Sequence, residues 1–170
     1  PLNTPPTHMA ASLILGPPLY LSRVHLILKQ TGICKKTNMS HYFITGASAG
    51  IGMALSRRLI AQDHHVTGLA RRLAPLSALA ETDPRFLGLK GDVTSASDLT
   101  IAAEHASAHH GPIDVAVLNA GIYTPVNAAD GIDPDVFAQH MQVNYQGVVH
   151  GLAAVLPAMV ARGQGHIVIV

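Results

Sequence analysis

The chain has 170 residues, of which 48% are hydrophobic and 12% are charged, a globular composition that is sufficient for one domain with a sizeable core. Lys plus Arg total 11 and Asp plus Glu total 10, so the charge balance argues against a nucleic-acid partner and favours a small soluble ligand. The single cysteine, Cys34, cannot form an intrachain disulfide, which is compatible with the cytoplasmic location that we expect.

Residues 1–38 differ in character from the rest of the chain, because they are rich in proline and lack a sustained period. The stretch 9–28 is apolar, but Gly16-Pro17-Pro18 and Arg23 interrupt it, so neither flank reaches the roughly 20 residues of a membrane span. A short membrane-surface or signal-like segment remains an alternative. Met39 stands directly before the first strand-like run, so we interpret 1–38 as a disordered extension or as sequence upstream of the natural start.

From His41 onward, short apolar runs alternate with helix-period stretches, the pattern of βαβ units that feed a parallel sheet. The runs predict five strands, at 41–45, 65–70, 86–90, 113–118 and 166–170. The first helix is indicated by Ile51, Leu55 and Leu59, whose four-residue spacing predicts one apolar stripe against the sheet. Further helices are predicted at 73–80, 97–109 and 134 to about 160.

The last predicted helix has the clearest boundaries. Asp133 can cap it, and Pro134 fits the first helical position because its missing N–H would have been unpaired there. Pro157 predicts a kink or an end, and Gly163 with Gly165 then predicts the turn into the final strand.

The glycine-rich segment 45–52, Thr-Gly-Ala-Ser-Ala-Gly-Ile-Gly, lies between the first strand and the first helix. A tight strand-to-helix turn needs Gly46 for its backbone angles, Gly50 allows the main chain to approach a pyrophosphate, and Gly52 allows close packing of the helix. The helix would offer unpaired N–H groups and its positive dipole end to phosphate oxygens. A turn that merely requires glycines is the alternative.

The spacing G-x-x-x-G-x-G behind Thr45 resembles the glycine motif of the short-chain dehydrogenase/reductase family, and the resemblance extends from Met39 to Val170. It implies an α/β fold for residues 39–170, a Rossmann-type doubly wound parallel sheet truncated after the fifth strand. It also implies a nicotinamide dinucleotide cofactor and a small-molecule carbonyl or alcohol substrate. The implied cofactor contacts in the motif are Gly46, Ser48, Gly50, Ile51 and Gly52.

Two later segments, 92–93 and 119–121, fall in register with this motif. The resemblance implies that Asp92 accepts a hydrogen bond from the adenine amine and that the amide of Val93 serves a ring nitrogen. It implies that Asn119 steadies the sheet, while Ala120 and Gly121 line the ribose. Each segment alone is weak, since an Asp after a strand is usually a helix cap and Asn-Ala-Gly is usually a turn.

Asn144 matches the family's catalytic helix asparagine, which holds a water that links the active-site lysine to solvent. A helix asparagine that faces water is the alternative. The apolar neighbours Val143, Val148 and Val149 indicate a largely buried helix, in which an amide needs partners.

The cofactor preference depends on the end of the second strand, where an acidic residue would pair with the ribose 2′-OH of NADH. The position 24 residues after Gly46 is Ala70, followed by Arg71 and Arg72, so the acid is absent. An arginine can bind a phosphate dianion with two parallel hydrogen bonds, which favours NADP(H) over NAD(H). Ala49 is a counter-indication, because many NADPH-preferring relatives have a basic residue there, and Arg71 and Arg72 could simply solvate the next helix.

Family members transfer hydride with a serine beyond the fifth strand and a Tyr-x-x-x-Lys pair. No tyrosine of this chain is followed four residues later by lysine. We therefore expect that this chain is an N-terminal fragment of an NADP-dependent oxidoreductase and is inactive alone. The fifth strand also indicates a fragment, because without further strands it would be a bare apolar edge of the sheet. The parent protein is expected to be a homo-oligomer. A truncated non-catalytic dinucleotide-binding module, or a fragment without a stable fold, are the alternatives.

The eleven histidines include two adjacent pairs, His64-His65 and His109-His110. Adjacent side chains do not point to one ligand position, and no H-E-x-x-H occurs, so we expect no metal site. We interpret these residues as surface histidines at helix ends.

Overall fold

The computed structural model describes residues 39–127, 129 and 131–170, so the predictions for 1–38 and for Cys34 lie outside the described residues. Five strands form one parallel sheet in the order β3-β2-β1-β4-β5. They are β1 (His41–Thr45), β2 (His65–Ala70), β3 (Phe86–Lys90), β4 (Val115–Leu118) and β5 (His166–Ile169). In the register of the sheet, Ile44 of β1 is opposite Gly68 of β2 and Val117 of β4. The predicted strands are all present, with β4 beginning two residues later and β5 ending one residue earlier than expected.

The helices lie between the strands in chain order, as predicted. They are α1 (Gly50–Ile60), α2 (Ala74–Ala80), α3 (Ala96–His110), α4 (Pro134–Met141) and α5 (Gly147–Arg162). Asp133 caps α4 as expected, since its Oδ1 accepts a hydrogen bond from the amide of Asp135 at 2.9 Å. Residues 142–146 form one π-helical turn between α4 and α5, which the helical period of the sequence did not predict.

The prediction that Pro157 could end the last helix is wrong. The proline lies inside α5, which continues to Arg162 and ends at Gly163, where φ is +64°. Proline removes one main-chain hydrogen bond, but Val155 and Met159 on either side of it are each only 2% exposed. Packing of this helix against the domain therefore outweighs the local preference of proline.

The run Pro134–Arg162 is 29 residues long and contains an 18-residue window with a mean hydropathy of 1.2, enough by length and composition to cross a membrane. The same test is passed by helices that cover the core of a soluble domain. Gly147, Gly151, Val155 and Met159 form the buried side of α5, so this helix covers the sheet.

Alternate residues of the strands enter two hydrophobic cores, one on each face of the sheet. Tyr42 and Ile44 of β1 pack with α1 and α2 on one face. Phe43 packs with α3 and α5 on the other face. Helices cover both faces, which confirms the predicted doubly wound α/β fold.

The predicted apolar stripe of the first helix is only partly correct. Leu59 is buried and Leu55 is half-buried against the core, but Ile51 is 41% exposed. Ile51 belongs to the first turn, which faces the cavity described below instead of the sheet. Its place in the buried face is taken by Gly52 and Ser56.

The expectation of surface histidines at helix ends is wrong for several of them. His41 is 2% exposed, donates from Nδ1 to the carbonyl of Gly111 at 2.8 Å and contacts the Thr67 hydroxyl through Nε2 at 2.9 Å. The half-buried His110 ring lies 5.3 Å from His41 and 4.4 Å from His65 between centroids. Burial lowers the pKa of His41, and burial with neighbouring histidines lowers the pKa of His110 to about 4. Within the described ranges, no three His, Cys, Asp or Glu side chains are arranged to hold a metal ion.

Candidate functional site

A cavity of about 440 Å³ lies at the carboxyl ends of β1 to β4. This edge, where the strand order reverses direction, is the usual ligand position in open parallel sheets. All the predicted cofactor residues line the cavity except Gly52. They are Gly46, Ser48, Gly50, Ile51, Arg71, Arg72, Asp92, Val93, Asn119, Ala120 and Gly121.

Six further lining residues were not identified from the sequence. They are Ala49, Leu69, Ala70, Gly91, Ile122 and Val143. Leu69, Ala70 and Gly91 end β2 or directly follow β3, so the rule that ligands bind beyond the carboxyl ends of strands could have found them. Val143 comes from the π-helical turn, which has no comparable sequence signal.

The loop between β1 and α1 forms one wall of the cavity. Gly46 has φ +71° and donates its N–H to the carbonyl of Leu69 at 2.9 Å, which attaches the loop to the end of β2. A Cβ on Gly46 would lie 2.8 Å from Cα of Ala120. Gly50, with φ +53°, would place a Cβ in space that holds no described atom within 4 Å. The turn therefore requires glycine for its backbone angles and leaves the surface of the loop open at Gly50.

The amino terminus of α1 faces this cavity without a cap. Ala49 occupies the N-cap position and has no polar side chain, and the first turn of this fully described helix contains no acidic residue. A Ser, Thr, Asp or Asn cap is generally worth about 1 kcal/mol. The exposed N–H groups and the positive end of the helix dipole consequently remain available to an anion.

Gly52 supports this loop from behind instead of lining the cavity. A Cβ there would lie 2.5 Å from the carbonyl oxygen of Gly46 and 2.8 Å from Nδ2 of Asn119. The first turn of α1 therefore packs directly on the loop backbone, a contact that a larger residue would push apart.

Thr45 and Asn119 connect the carboxyl ends of β1 and β4. The Thr45 hydroxyl accepts hydrogen bonds from the amides of Asn119 and Ala120, both at 3.0 Å. Nδ2 of Asn119 donates to the carbonyl of Thr45 at 3.0 Å. These three hydrogen bonds fix the glycine loop relative to the neighbouring turn 119–121, which also lines the cavity.

Two arginines follow β2 at the cavity edge. Arg71 and Arg72 are both exposed, and an Arg72 guanidinium nitrogen is 3.5 Å from the Ser48 hydroxyl in the glycine loop. Both arginines line the same cavity as the uncapped end of α1, and the contact with Ser48 places Arg72 next to the glycine loop. This arrangement makes an electropositive corner suited to phosphate groups.

Asp92 and Val93 form the wall that follows β3. Oδ1 of Asp92 accepts from the amide and the hydroxyl of Thr94, both at 2.9 Å, while no described residue donates a hydrogen bond to Oδ2. The amide of Asp92 donates to Asp98 at 2.9 Å. This hydrogen bond, with a second one from Ser95, holds the pKa of Asp98 below its ordinary value. One carboxylate oxygen of Asp92 is thus available to a ligand donor.

Asn144 lies in the π-helical turn, outside the cavity lining. Its Oδ1 accepts from the amide of Ile122 at 2.8 Å, and its Nδ2 donates to the carbonyl of Ile122 at 2.9 Å. The predicted burial of this helix is wrong, because Asn144 is exposed and Tyr145 and Val149 are 60% and 38% exposed. Of the three valines Val143, Val148 and Val149, only Val143 is buried, since one side of the turn faces the domain. Asn144 nonetheless has both amide partners in the segment after β4.

Comparison with known proteins is consistent with this geometry. The sequence model of the short chain dehydrogenase family matches residues 40–170. An oxidoreductase of Listeria monocytogenes is 36% identical over 129 residues, which cover 74% of this chain and 52% of the relative. The chain therefore spans about half the length of that relative.

Solved structures show the same fold. A closed serine dehydrogenase with NADP+ has a TM-score of 0.72 and 30% identity, covering 76% of this chain and 52% of that one. The 3-ketoacyl-(acyl-carrier-protein) reductase of Brucella melitensis with NADH has a TM-score of 0.72 and 26% identity, covering 79% of this chain and 57% of that one. Together with the match over residues 40–170, these similarities show that the chain belongs to the short-chain dehydrogenase family of NAD(P)-binding oxidoreductases.

Proposed function

We propose that this chain is the dinucleotide-binding part of an NADP-dependent short-chain oxidoreductase that interconverts a small carbonyl compound and its alcohol. The observation that carries the proposal is the electropositive corner of the cavity. There, the uncapped amino terminus of α1 lies beside Arg71 and Arg72, without a competing acid at the end of β2. Phosphate is the ligand that this combination favours.

We assign the lining residues to the parts of the dinucleotide as follows. The diphosphate would bind Gly46, Ser48, Gly50 and Ile51, which Gly52 supports, and the 2′-phosphate would bind Arg71 with Arg72. Asp92 and Val93 would contact the adenine, while Asn119, Ala120 and Gly121 would border the ribose on the nicotinamide side. When bound, the nicotinamide supplies the hydride.

The preference for NADP(H) over NAD(H) rests on charge. An acid after β2 would repel a 2′-phosphate, but the residues there are Ala70, Arg71 and Arg72. The structural neighbours include complexes with both NADP+ and NADH, so likeness alone does not select the cofactor. The two arginines support NADP(H).

We assign the proton donor of the reaction to a group outside these 170 residues. The chain contains no Tyr-x-x-x-Lys pair and spans about half the length of its Listeria relative. Asn144, which holds Ile122 in the segment after β4, is the residue of this chain that we assign to the catalytic machinery. We propose that the whole protein is a soluble, cytoplasmic homo-oligomer and that this chain alone has no activity.

The test is a titration of the full-length protein with NADPH and NADH. Wild-type protein should bind NADPH more tightly, and Arg71→Asp should reduce the NADPH:NADH affinity ratio by about tenfold or more, since a charge-assisted hydrogen bond is replaced by repulsion. Arg57→Asp makes the same charge change at an exposed position of α1, outside the cavity, and should leave the NADPH:NADH affinity ratio unchanged. An unchanged ratio in Arg71→Asp contradicts the cofactor assignment, and no affinity for either dinucleotide refutes the proposed function.

A further inference from the structure

The loop 91–95 places Val93 in the cavity wall. Most of its hydrogen bonds are formed within the loop, with the first turn of α3 or with the end of β2. Gly91 donates to the carbonyl of Ala70 at 3.1 Å, and Asp92 bonds to Thr94 and Asp98. Of the hydrogen bonds in the described part of the chain, one connects this loop to α5. It joins Nδ1 of His150 to the carbonyl oxygen of Val93 at 2.9 Å.

The partners of His150 determine which ring nitrogen carries the proton. A carbonyl oxygen can only accept, so Nδ1 of His150 is the donor to Val93. Nε2 then has a free lone pair and accepts from the side-chain amide of Gln146 at 3.1 Å. Gln146 precedes His150 by four residues, which places both side chains on the same side of the helix. The result is a directional chain of hydrogen bonds from Gln146 through His150 to Val93.

The same side of the helix also sets how closely Val93 can approach. A Cβ on Gly147 would lie 2.8 Å from Cγ2 of Val93, so glycine allows the loop to rest directly on the helix backbone. Val93 is 8% exposed and packs in the core formed with α3 and α5. Contact with Gly147 therefore limits the approach of the loop, while the hydrogen bond from His150 limits its withdrawal.

The segment 142–150 holds both walls of the cavity at once. Asn144 bonds to both main-chain groups of Ile122 after β4, and His150 bonds to Val93 after β3. Ile122 and Val93 both line the cavity. One stretch of helix therefore connects these two walls, in addition to the pairing of the strands that they follow.

We propose that His150 is a positioning residue for the adenine half of the cofactor, acting through the carbonyl of Val93. This inference rests on the proposed function, since it takes the cavity to be a dinucleotide site. His150 lies outside the cavity lining and touches no cofactor group by itself. It holds the backbone of Val93 in the position in which the adenine contacts it, and so lowers the free-energy cost of ordering the loop when the cofactor binds.

The experiment compares three substitutions of His150 in the full-length protein. Asparagine places its side-chain nitrogen where Nδ1 of histidine lies and can still donate to Val93. Glutamine places its nitrogen near the position of Nε2, on the Gln146 side, and leucine has no donor. Affinities are measured by calorimetry for adenosine 2′,5′-bisphosphate, the adenine half of NADP, and for reduced nicotinamide mononucleotide, the other half.

We expect His150→Leu and His150→Gln to weaken binding of the bisphosphate about three- to tenfold, the effect of one hydrogen bond, while His150→Asn stays near wild type. Affinity for the mononucleotide should be unchanged in all three. The inference is overturned if His150→Leu and His150→Gln bind the bisphosphate like wild type, if His150→Asn loses as much as leucine, or if mononucleotide affinity falls by the same factor. Failure of the wild-type protein to bind NADPH would instead refute the proposed function.

Discussion

Replacing Gly52 with alanine adds one methyl group at the closest contact between α1 and the glycine loop. The new Cβ would lie 2.5 Å from the carbonyl oxygen of Gly46, about 0.9 Å closer than an ordinary contact. Backbone atoms cannot rotate away, so α1 and the loop have to separate. Overpacking of this kind generally costs about 1–3 kcal/mol, and the higher helix propensity of alanine returns about 1 kcal/mol. A net destabilisation of up to about 2 kcal/mol is expected.

The displacement of α1 from the loop should also weaken NADPH binding, because the new methyl group would press against Gly46 and Asn119, which both line the cavity. Ala54→Gly is the matched control, since Ala54 is exposed on α1 and its replacement costs about 0.5–1 kcal/mol without touching the loop. Urea unfolding measures stability, and fluorescence titration of the full-length protein measures NADPH affinity. If Gly52→Ala binds NADPH as tightly as Ala54→Gly does, the packing of α1 does not shape the site and the reasoning fails.

Three other predictions address stability, activity and pH. Thr45→Val leaves the amides of Asn119 and Ala120 without their acceptor and should lower the unfolding free energy by about 1–3 kcal/mol. Thr45→Ser keeps the hydroxyl and should not lower it. Equal denaturation midpoints for Thr45→Val and the wild type would contradict this prediction. Residues 39–170 alone should show no NADPH-dependent reduction of any carbonyl, and measurable turnover would show that the proton donor is present. His110 faces His41, His65 and His109, and its pKa is lowered to about 4. Between pH 6.5 and pH 4 the unfolded state therefore binds more protons than the folded state, so the free energy of unfolding should fall as the pH is lowered through this range. His110→Gln should flatten this dependence of the urea midpoint on pH, and an identical slope would exclude His110 as its origin.

The sheet and the cavity were predictable for a simple reason. Strands of a parallel sheet are buried on both faces and appear as short apolar runs, as at β1 and β2. Their carboxyl ends meet at one edge, so Gly46, Arg71, Asp92 and Asn119 come together although they are far apart in sequence.

The features that the sequence did not reveal depend on tertiary packing. The π-helical turn at 142–146 has the same residue types as an ordinary helix, and the hydrogen bond between Asn144 and Ile122 depends on a contact with the segment after β4. His110 lies beside His65 because α3 ends against the start of β2, a contact between residues 45 positions apart. Pro157 remains helical because its neighbours Val155 and Met159 are buried. Local propensity does not contain this information.

The glycine-rich segment 45–52 could be a turn that merely requires glycines, and the uncapped end of α1 argues most strongly against this alternative. A purely structural turn would be more stable with Ser or Asp in place of Ala49, by about 1 kcal/mol, and with an acid in the first turn. The chain instead carries two arginines beside the unpaired N–H groups, which adds positive charge to the positive end of the helix dipole. A bound anion would offset these costs, so the complex would be more stable than the free protein by an amount that increases with ligand concentration. The missing cap and the two arginines therefore support our proposal of a phosphate site over a turn that only reverses the chain.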